Sequence, residues 1–173
     1  INPGSPHQVY QSLANSLSAV EPPVWAGMIA TFARIKGYSV EIIDANALRL
    51  SPAETASRVA GMDPALTVVV VYGQQPSAST QNMPASGAVC TAIKQNSPEL
   101  KTAMIGGHVA ALPDRTLIDE DVDFVSTGEG LITIIDLVDA IKADDDDYSK
   151  VRGLHYWKDG IIQRTAHPPL LKD

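Results

Sequence analysis

The chain has 173 residues, 45% hydrophobic and 19% charged, with a formal net charge of −7. That is enough for one domain with a real core, and the acidity, with no basic cluster to offset it, excludes a nucleic-acid surface. The single cysteine, Cys90, excludes an internal disulfide and fits a reducing, cytoplasmic compartment, and no apolar run approaches the ~20 residues of a membrane span.

Ile1-Asn2-Pro3-Gly4 reads as a strand turning into a loop, so the opening strand is expected to begin before Ile1. Ser5 to Val20 is polar and poorly periodic, a long excursion. Glu21-Pro22-Pro23 opens a helix whose apolar stripe is Trp25, Met28, Ile29, Phe32 and Ile35, and Gly37 ends it. Tyr38 to Asp44 predicts a strand. Ser51-Pro52-Ala53-Glu54 has capping-box spacing and starts a helix that runs to about Ala60.

Leu66 to Tyr72 is a β-branched run suited to the middle of a parallel sheet. A polar loop from Gly73 to Ser79 leads to a helix over Thr80 to Asn96, with Pro84 and Gly87 weakening its first turns. Strands follow at Lys101 to Ile105 and Val122 to Ser126, separated by a short helix at Pro113 to Asp119. Leu131 to Lys142 is amphipathic, with Leu131, Ile134, Ile135, Val138 and Ile141 on one side. The aspartates 144–147 form a solvated linker. Leu154 to Trp157 and Ile161 to Arg164 form a β-hairpin across Lys158-Asp159-Gly160.

This alternation predicts an α/β fold, a Rossmann-like or flavodoxin-like doubly wound parallel sheet of five strands in the order 2-1-3-4-5, with a C-terminal β-hairpin. Residues 1–150 make the ligand-binding domain, and 151–173 the hairpin and a linker.

Ligands bind such sheets at the carboxyl ends of the strands. The loops there are Asn2 to His7, Tyr72 to Thr80, Gly106 to Pro113 and Thr127 to Gly130. Gly106 and Gly107 are expected to allow close backbone approach and positive φ. Amides near helix starts hold anions. Gly128-Glu129-Gly130 is no dinucleotide fingerprint, and no P-loop is present. No two histidines have metal-ligand spacing. Ser126, His108 and Asp123 occur together without a nucleophile elbow. Glu129, between two glycines, reads as a partner of loop amides rather than a catalytic acid.

Several pieces carry a family resemblance when taken in order. They are Asn2-Pro3, Glu21-Pro22-Pro23, the stretch from Gly37 to Ala45, Gly106-Gly107-His108, Val122-Asp123-Phe124-Val125 and Gly128-Glu129-Gly130. Val151-Arg152-Gly153-Leu154 with the Lys158-Asp159-Gly160 turn completes the set. Together they resemble the amino-terminal cobalamin-binding domain of cobalamin-dependent radical S-adenosylmethionine enzymes.

The resemblance implies a base-off cobalamin at the carboxyl edge, its dimethylbenzimidazole tail entering the sheet region. On that basis the cofactor-binding residues are Asn2, Pro3, Tyr72, Gly73, Gln74, Gln75, Thr80, Gly106, Gly107, His108, Thr127, Gly128 and Glu129. Gly106 and Gly107 line the tail, Tyr72 to Gln75 approach the lower face of the ring, and Thr127 to Glu129 form another wall.

The Asp-x-His-x-x-Gly motif of classical cobalamin domains is absent and His7 is displaced from its histidine, so a histidine ligand to cobalt is not expected. One cysteine cannot hold a four-iron cluster, so this chain alone is not expected to be catalytic. S-adenosylmethionine and the 4Fe-4S cluster are expected in a radical barrel of the same polypeptide after Asp173. The implied role is to present methylcobalamin for methyl transfer to an unactivated carbon in a methyltransferase. The rival reading is a flavodoxin-like nucleotide- or flavin-binding regulatory module without cobalamin, which the first loop fits poorly.

Overall fold

The computed structural model describes residues 1–4, 20–73, 76–144 and 146–169. Helix α1 (Val24–Ile35) starts after the proline pair, and Gly37, at φ +90°, carries the chain out of it. Helix α2 (Pro52–Met62) begins at a complete capping box. There the Ser51 hydroxyl accepts the Glu54 amide at 3.2 Å, and the Glu54 carboxylate accepts the Ser51 amide at 2.8 Å. Next come β1 (Thr67–Val71), α3 (Pro76–Asn96), β2 (Thr102–Gly106), α4 (Gly107–Ala111), α5 (Pro113–Asp119), β3 (Phe124–Ser126) and α6 (Leu131–Lys142). A 3-10 turn at Tyr148–Lys150 leads into β4 (Leu154–Lys158) and β5 (Ile161–Arg164). Asp159 and Gly160 have φ of +52° and +74°, a two-residue turn that matches the twist of paired strands.

Strands β1, β2 and β3 pair in parallel. The hairpin joins them antiparallel through β4 on β3, giving the order β1-β2-β3-β4-β5. Beyond β1 the sheet continues through a few bonds rather than full strands. The Ile1 nitrogen donates to the Val68 carbonyl at 2.6 Å, and the Ile1 carbonyl accepts the Val70 amide at 2.9 Å. Asn2 pairs in turn with Ile43 and Ala45, bridging Asp44 in parallel. Across the sheet the parallel segments therefore lie in the expected 2-1-3-4-5 order.

Three expectations change in detail. Among the described residues, Tyr38 to Asp44 bridges only at Asp44, to Asn2. The expected hairpin forms, and it is the edge of the same sheet. Helix α3 begins at Pro76 rather than Thr80, since a first-turn residue needs no amide hydrogen. Most of the expected loop from Gly106 to Pro113 is the short helix α4. A cavity of about 460 Å³ lies beside the sparse pairing, lined by Ala26, Ala30, Ile42, Leu66, Val68 and Ile134 among others. It faces the starting half of β1, away from the carboxyl edge.

Alternate strand residues point to opposite faces. Val69, Val71, Met104 and Val125 pack with Val59 of α2 and with Met83, Val89 and Ile93 of α3. On the other face Val70 and Ile105 meet Ala26 and Ile29 of α1, while Ala103 and Phe124 meet Ile134 and Leu137 of α6. Helices thus cover both faces of the parallel strands, which is why β1 is apolar along its length. Helix α1 sits down through Ala26, Ile29, Ala30 and Ala33. The expected stripe is corrected there: Trp25, Met28 and Ile35 are exposed, because the alanine face allows the closer approach. Among the described residues no helix is long and apolar enough to cross a membrane.

Neither Gly106 nor Gly107 has the positive φ expected of it. Gly106 stands opposite Val71 in the ladder, and a Cβ on it would lie 2.2 Å from the Val71 carbonyl oxygen. Gly107 meets nothing nearer than the Ser79 side chain at 3.7 Å. Gly106→Ala should therefore cost about 2–3 kcal/mol, because β1 and β2 must part. Gly107→Ala should stay within about 1 kcal/mol. Urea unfolding of the two variants checks this, and matching midpoints would remove close strand approach as the reason for Gly106.

Candidate functional site

Parallel strands end together, so the segments after β1, β2 and β3 converge on one edge. Tyr72 and Gly73 follow β1, Gly107 and His108 open α4, and Thr127 to Gly130 join β3 to α6. Gln74, Gln75 and His7 lie outside the described residues.

The edge is organised by a side chain that no motif announced. Ser79, buried in the first turn of α3, donates its hydroxyl to the Val71 carbonyl and accepts the His108 amide at 2.9 Å. It ties α3, β1 and α4 together at one point. Beside it, Thr80 Oγ1 and His108 Nδ1 are 3.0 Å apart, so these two sequence-selected residues meet across neighbouring elements. Asn82 donates from Nδ2 to the Tyr72 carbonyl at 3.1 Å and fixes the exit of β1. The available signal for Ser79 and Asn82 was positional: polar side chains in the opening turns of a helix that starts at a strand end.

Tyr72 spans the edge. Its ring stacks on Trp25, with centroids 4.4 Å apart and planes 19° from parallel. Its hydroxyl points at the Gly128 carbonyl at 3.5 Å. Burial, and after it the charge of Glu129, raises the Tyr72 phenol above its ordinary pKa. Gly128 adopts φ +71° and has open space where a Cβ would stand. Glu129 is exposed and, among the described residues, makes no hydrogen bond to a loop amide; the left-handed glycines on either side turn it to solvent.

Other selected residues are engaged by the fold itself. Asn2 donates to Asp44 Oδ1 at 2.9 Å, and Pro3 is buried. Thr127 gives its amide and hydroxyl to the Gly153 carbonyl at 2.8 and 3.2 Å, fastening the end of β3 to the hairpin segment. Gly106 packs on Val71, and Ala78 fills the place of a Gly73 side chain. Asp123 binds Lys94 at 2.6 Å and the Thr102 amide at 2.7 Å, at the starting ends of β2 and β3, so it does not join His108 and Ser126. Among the described residues no three His, Cys, Asp or Glu side chains cluster to hold a metal ion.

What remains open is a rim of Tyr72, Thr80, Gly107, His108, Gly128 and Glu129. It offers uncovered backbone, a hydroxyl, an imidazole and an aromatic ring, a set suited to holding a ligand with amide and phosphate groups.

A family model described as the B12 binding domain matches residues 10–138. No curated protein matches this sequence. Two solved structures of the radical S-adenosylmethionine methyltransferase TsrM from Kitasatospora setae are similar in fold. One, with tryptophan substrate and the analogue aza-SAM bound, has a TM-score of 0.74 at 16% identity, covering 95% of this chain and 29% of that one. The other, with cobalamin and a [4Fe-4S] cluster bound, has a TM-score of 0.73 at 17% identity, covering 99% of this chain and 29% of that one.

Ser79→Ala should cost about 1–3 kcal/mol, because the buried Val71 carbonyl and the His108 amide each lose a partner. Urea unfolding measures the cost, and faster hydrogen exchange at the His108 amide locates it. Glu129→Gln should lower the Tyr72 pKa towards, but not down to, its ordinary value, because burial is the larger cause. A phenolate absorbance titration of the variant against the unsubstituted chain reads that shift, and coincident curves would remove Glu129 from the account.

Proposed function

The chain belongs to the B12-binding domain family, and from that premise we propose that it holds cobalamin across the carboxyl edge of its sheet as the cofactor module of a larger radical S-adenosylmethionine methyltransferase. The observation that carries this reading is the family match over residues 10–138, which spans the loops after β1, β2 and β3.

The rim fits such a ligand in one specific respect. Gly128 leaves open space where a side chain would otherwise cover the backbone, and Gly107, exposed, has only Ser79 at 3.7 Å from the place of its Cβ. In this reading Gly107 gives passage to the nucleotide tail, and the amides around it serve the tail phosphate and the corrin amides. Thr80 and His108, already paired at 3.0 Å, supply a hydroxyl and an imidazole at the same rim. Tyr72 forms a wall beside the ring. Gly106 contributes indirectly, by letting β2 end close against β1. Asn2 and Thr127 shape the edge through Asp44 and Gly153 rather than by touching the ligand. In this reading the cofactor is base-off and takes no histidine from this chain.

When bound, the cofactor supplies the methyl-carrying chemistry, and this chain's residues bind and orient it. The cluster and S-adenosylmethionine belong, in this reading, to a barrel of the same polypeptide beyond the hairpin. The one cysteine supports that division: burial pushes the Cys90 thiol up to about 12, unsuited to acting as a thiolate ligand. We place the protein in the cytoplasm, where that thiol stays reduced.

Mixing the chain with hydroxocobalamin, desalting it and recording the visible spectrum tests the proposal. Retained corrinoid absorbance of base-off shape is expected, and a spectrum free of corrinoid would overturn it. Gly107→Trp should weaken retention by about tenfold or more while leaving the urea midpoint in place. Unchanged affinity in that variant would move the tail away from Gly107.

A further inference from the structure

Among the described residues, Trp25 is a large side chain at the carboxyl rim that helix packing does not explain. Helix α1 is seated by Ala26, Ile29, Ala30 and Ala33, and Trp25 is 42% exposed. Its indole N–H makes no hydrogen bond among the described residues. The contrast with Trp157 is instructive. That ring is equally open, at 45%, yet its Nε1 donates to the Leu117 carbonyl at 3.2 Å and so anchors the hairpin to α5. Among the described residues Trp25 has only its stack on Tyr72.

That stack gives Trp25 a direction. Tyr72 leaves the end of β1 with its carbonyl held by Asn82 and its hydroxyl at the Gly128 carbonyl. Its ring is therefore fixed in the rim, and Trp25 lies flat against it. Val24 and Met28, 61% and 50% exposed, extend the apolar surface beside the indole. The result is a preordered aromatic plane whose N–H is unused among the described residues, backed by the tyrosine whose hydroxyl reaches the Gly128 carbonyl.

We propose that Trp25 is a binding residue for the corrin ring: the indole, backed by Tyr72, takes the flat macrocycle, and its Nε1–H donates to an amide carbonyl on the ring's periphery. This rests on the cobalamin reading above. A corrin is a broad apolar disc rimmed with amides, so it offers a partner for each of the two features that Trp25 leaves unused. Because Tyr72 already holds the indole, little side-chain entropy is lost on binding. The stack also joins α1 to the site, an element that no glycine loop would have included.

The test measures hydroxocobalamin affinity by visible titration of the full chain, together with the circular dichroism induced in the corrin bands. Trp25→Ala should weaken binding by about tenfold or more and reduce the induced signal, with only a small fall in the urea midpoint from the lost stack on Tyr72. Trp25→Phe should recover most of the affinity, and Trp25→Leu should not, because a plane is needed rather than bulk. Trp157→Phe should bind as the unsubstituted chain does. If the unsubstituted chain binds and Trp25→Ala binds equally well, this proposal falls and the cobalamin reading stands. If Trp25→Leu recovers as well as Trp25→Phe, stacking is overturned. If the unsubstituted chain does not bind, the cobalamin reading falls and takes this one with it.

Discussion

The carboxyl edge depends on how closely β1 and β2 approach at Val71 and Gly106. A single Cβ at position 106 would sit within 2.2 Å of the Val71 oxygen, so only glycine permits this register to its end. That same oxygen accepts the Ser79 hydroxyl, and Ser79 accepts the His108 amide. One carbonyl and one hydroxyl therefore set where α3 begins, where α4 begins and how the loops between them are spaced. A buried polar group left without a partner is costly, so this junction is a constraint as well as a contact.

The glycines of the edge divide their work accordingly. Gly106 and Gly130 are packing residues. A side chain at the first would meet the Val71 backbone, and at the second Ile105 Cδ1 at 1.9 Å. Gly128 faces open space, and Gly107 is exposed with no contact closer than Ser79 at 3.7 Å, so both leave backbone uncovered. Two adjacent letters in the sequence, Gly106 and Gly107, thus do opposite things: one closes the sheet, the other leaves the rim open. The outer parts of the molecule hold this edge in place. Arg152 grips Asp136 of α6 through two bonds of 2.7 and 2.8 Å, and Asp114 of α5 accepts from Arg164 and pairs with His155.

Much of the architecture was legible because the local signals were strong. The capping box at Ser51, the β-branched run of β1, the amphipathic α6 and the Asp-Gly hairpin each have a physical cause that acts within a few residues. Less legible was anything set by contact at a distance. Tyr38 to Asp44 has strand composition but finds backbone partners only near Asp44. Of the expected α1 stripe of Trp25, Met28, Ile29, Phe32 and Ile35, Ile29 is buried, while Trp25, Met28 and Ile35 stand exposed and Ala26, Ala30 and Ala33 make the close contact instead. Ser79 and Asn82 matter through partners eight or more residues away, which spacing along the chain does not reveal.

The sequence by itself determined the order of helices and strands, the parallel centre of the sheet and the succession of glycine-bearing segments that carries the family. These follow from periodicity, propensity and turn chemistry, which are local. Only the tertiary structure decided which of those segments are open and which are filled. Whether a glycine is space for a ligand or space for a neighbouring strand depends on what lies opposite it. That neighbour comes from another part of the chain: Val71 presses on Gly106 and Ile105 on Gly130, Ser79 stands off from Gly107 at 3.7 Å, and Gly128 has none within 4 Å.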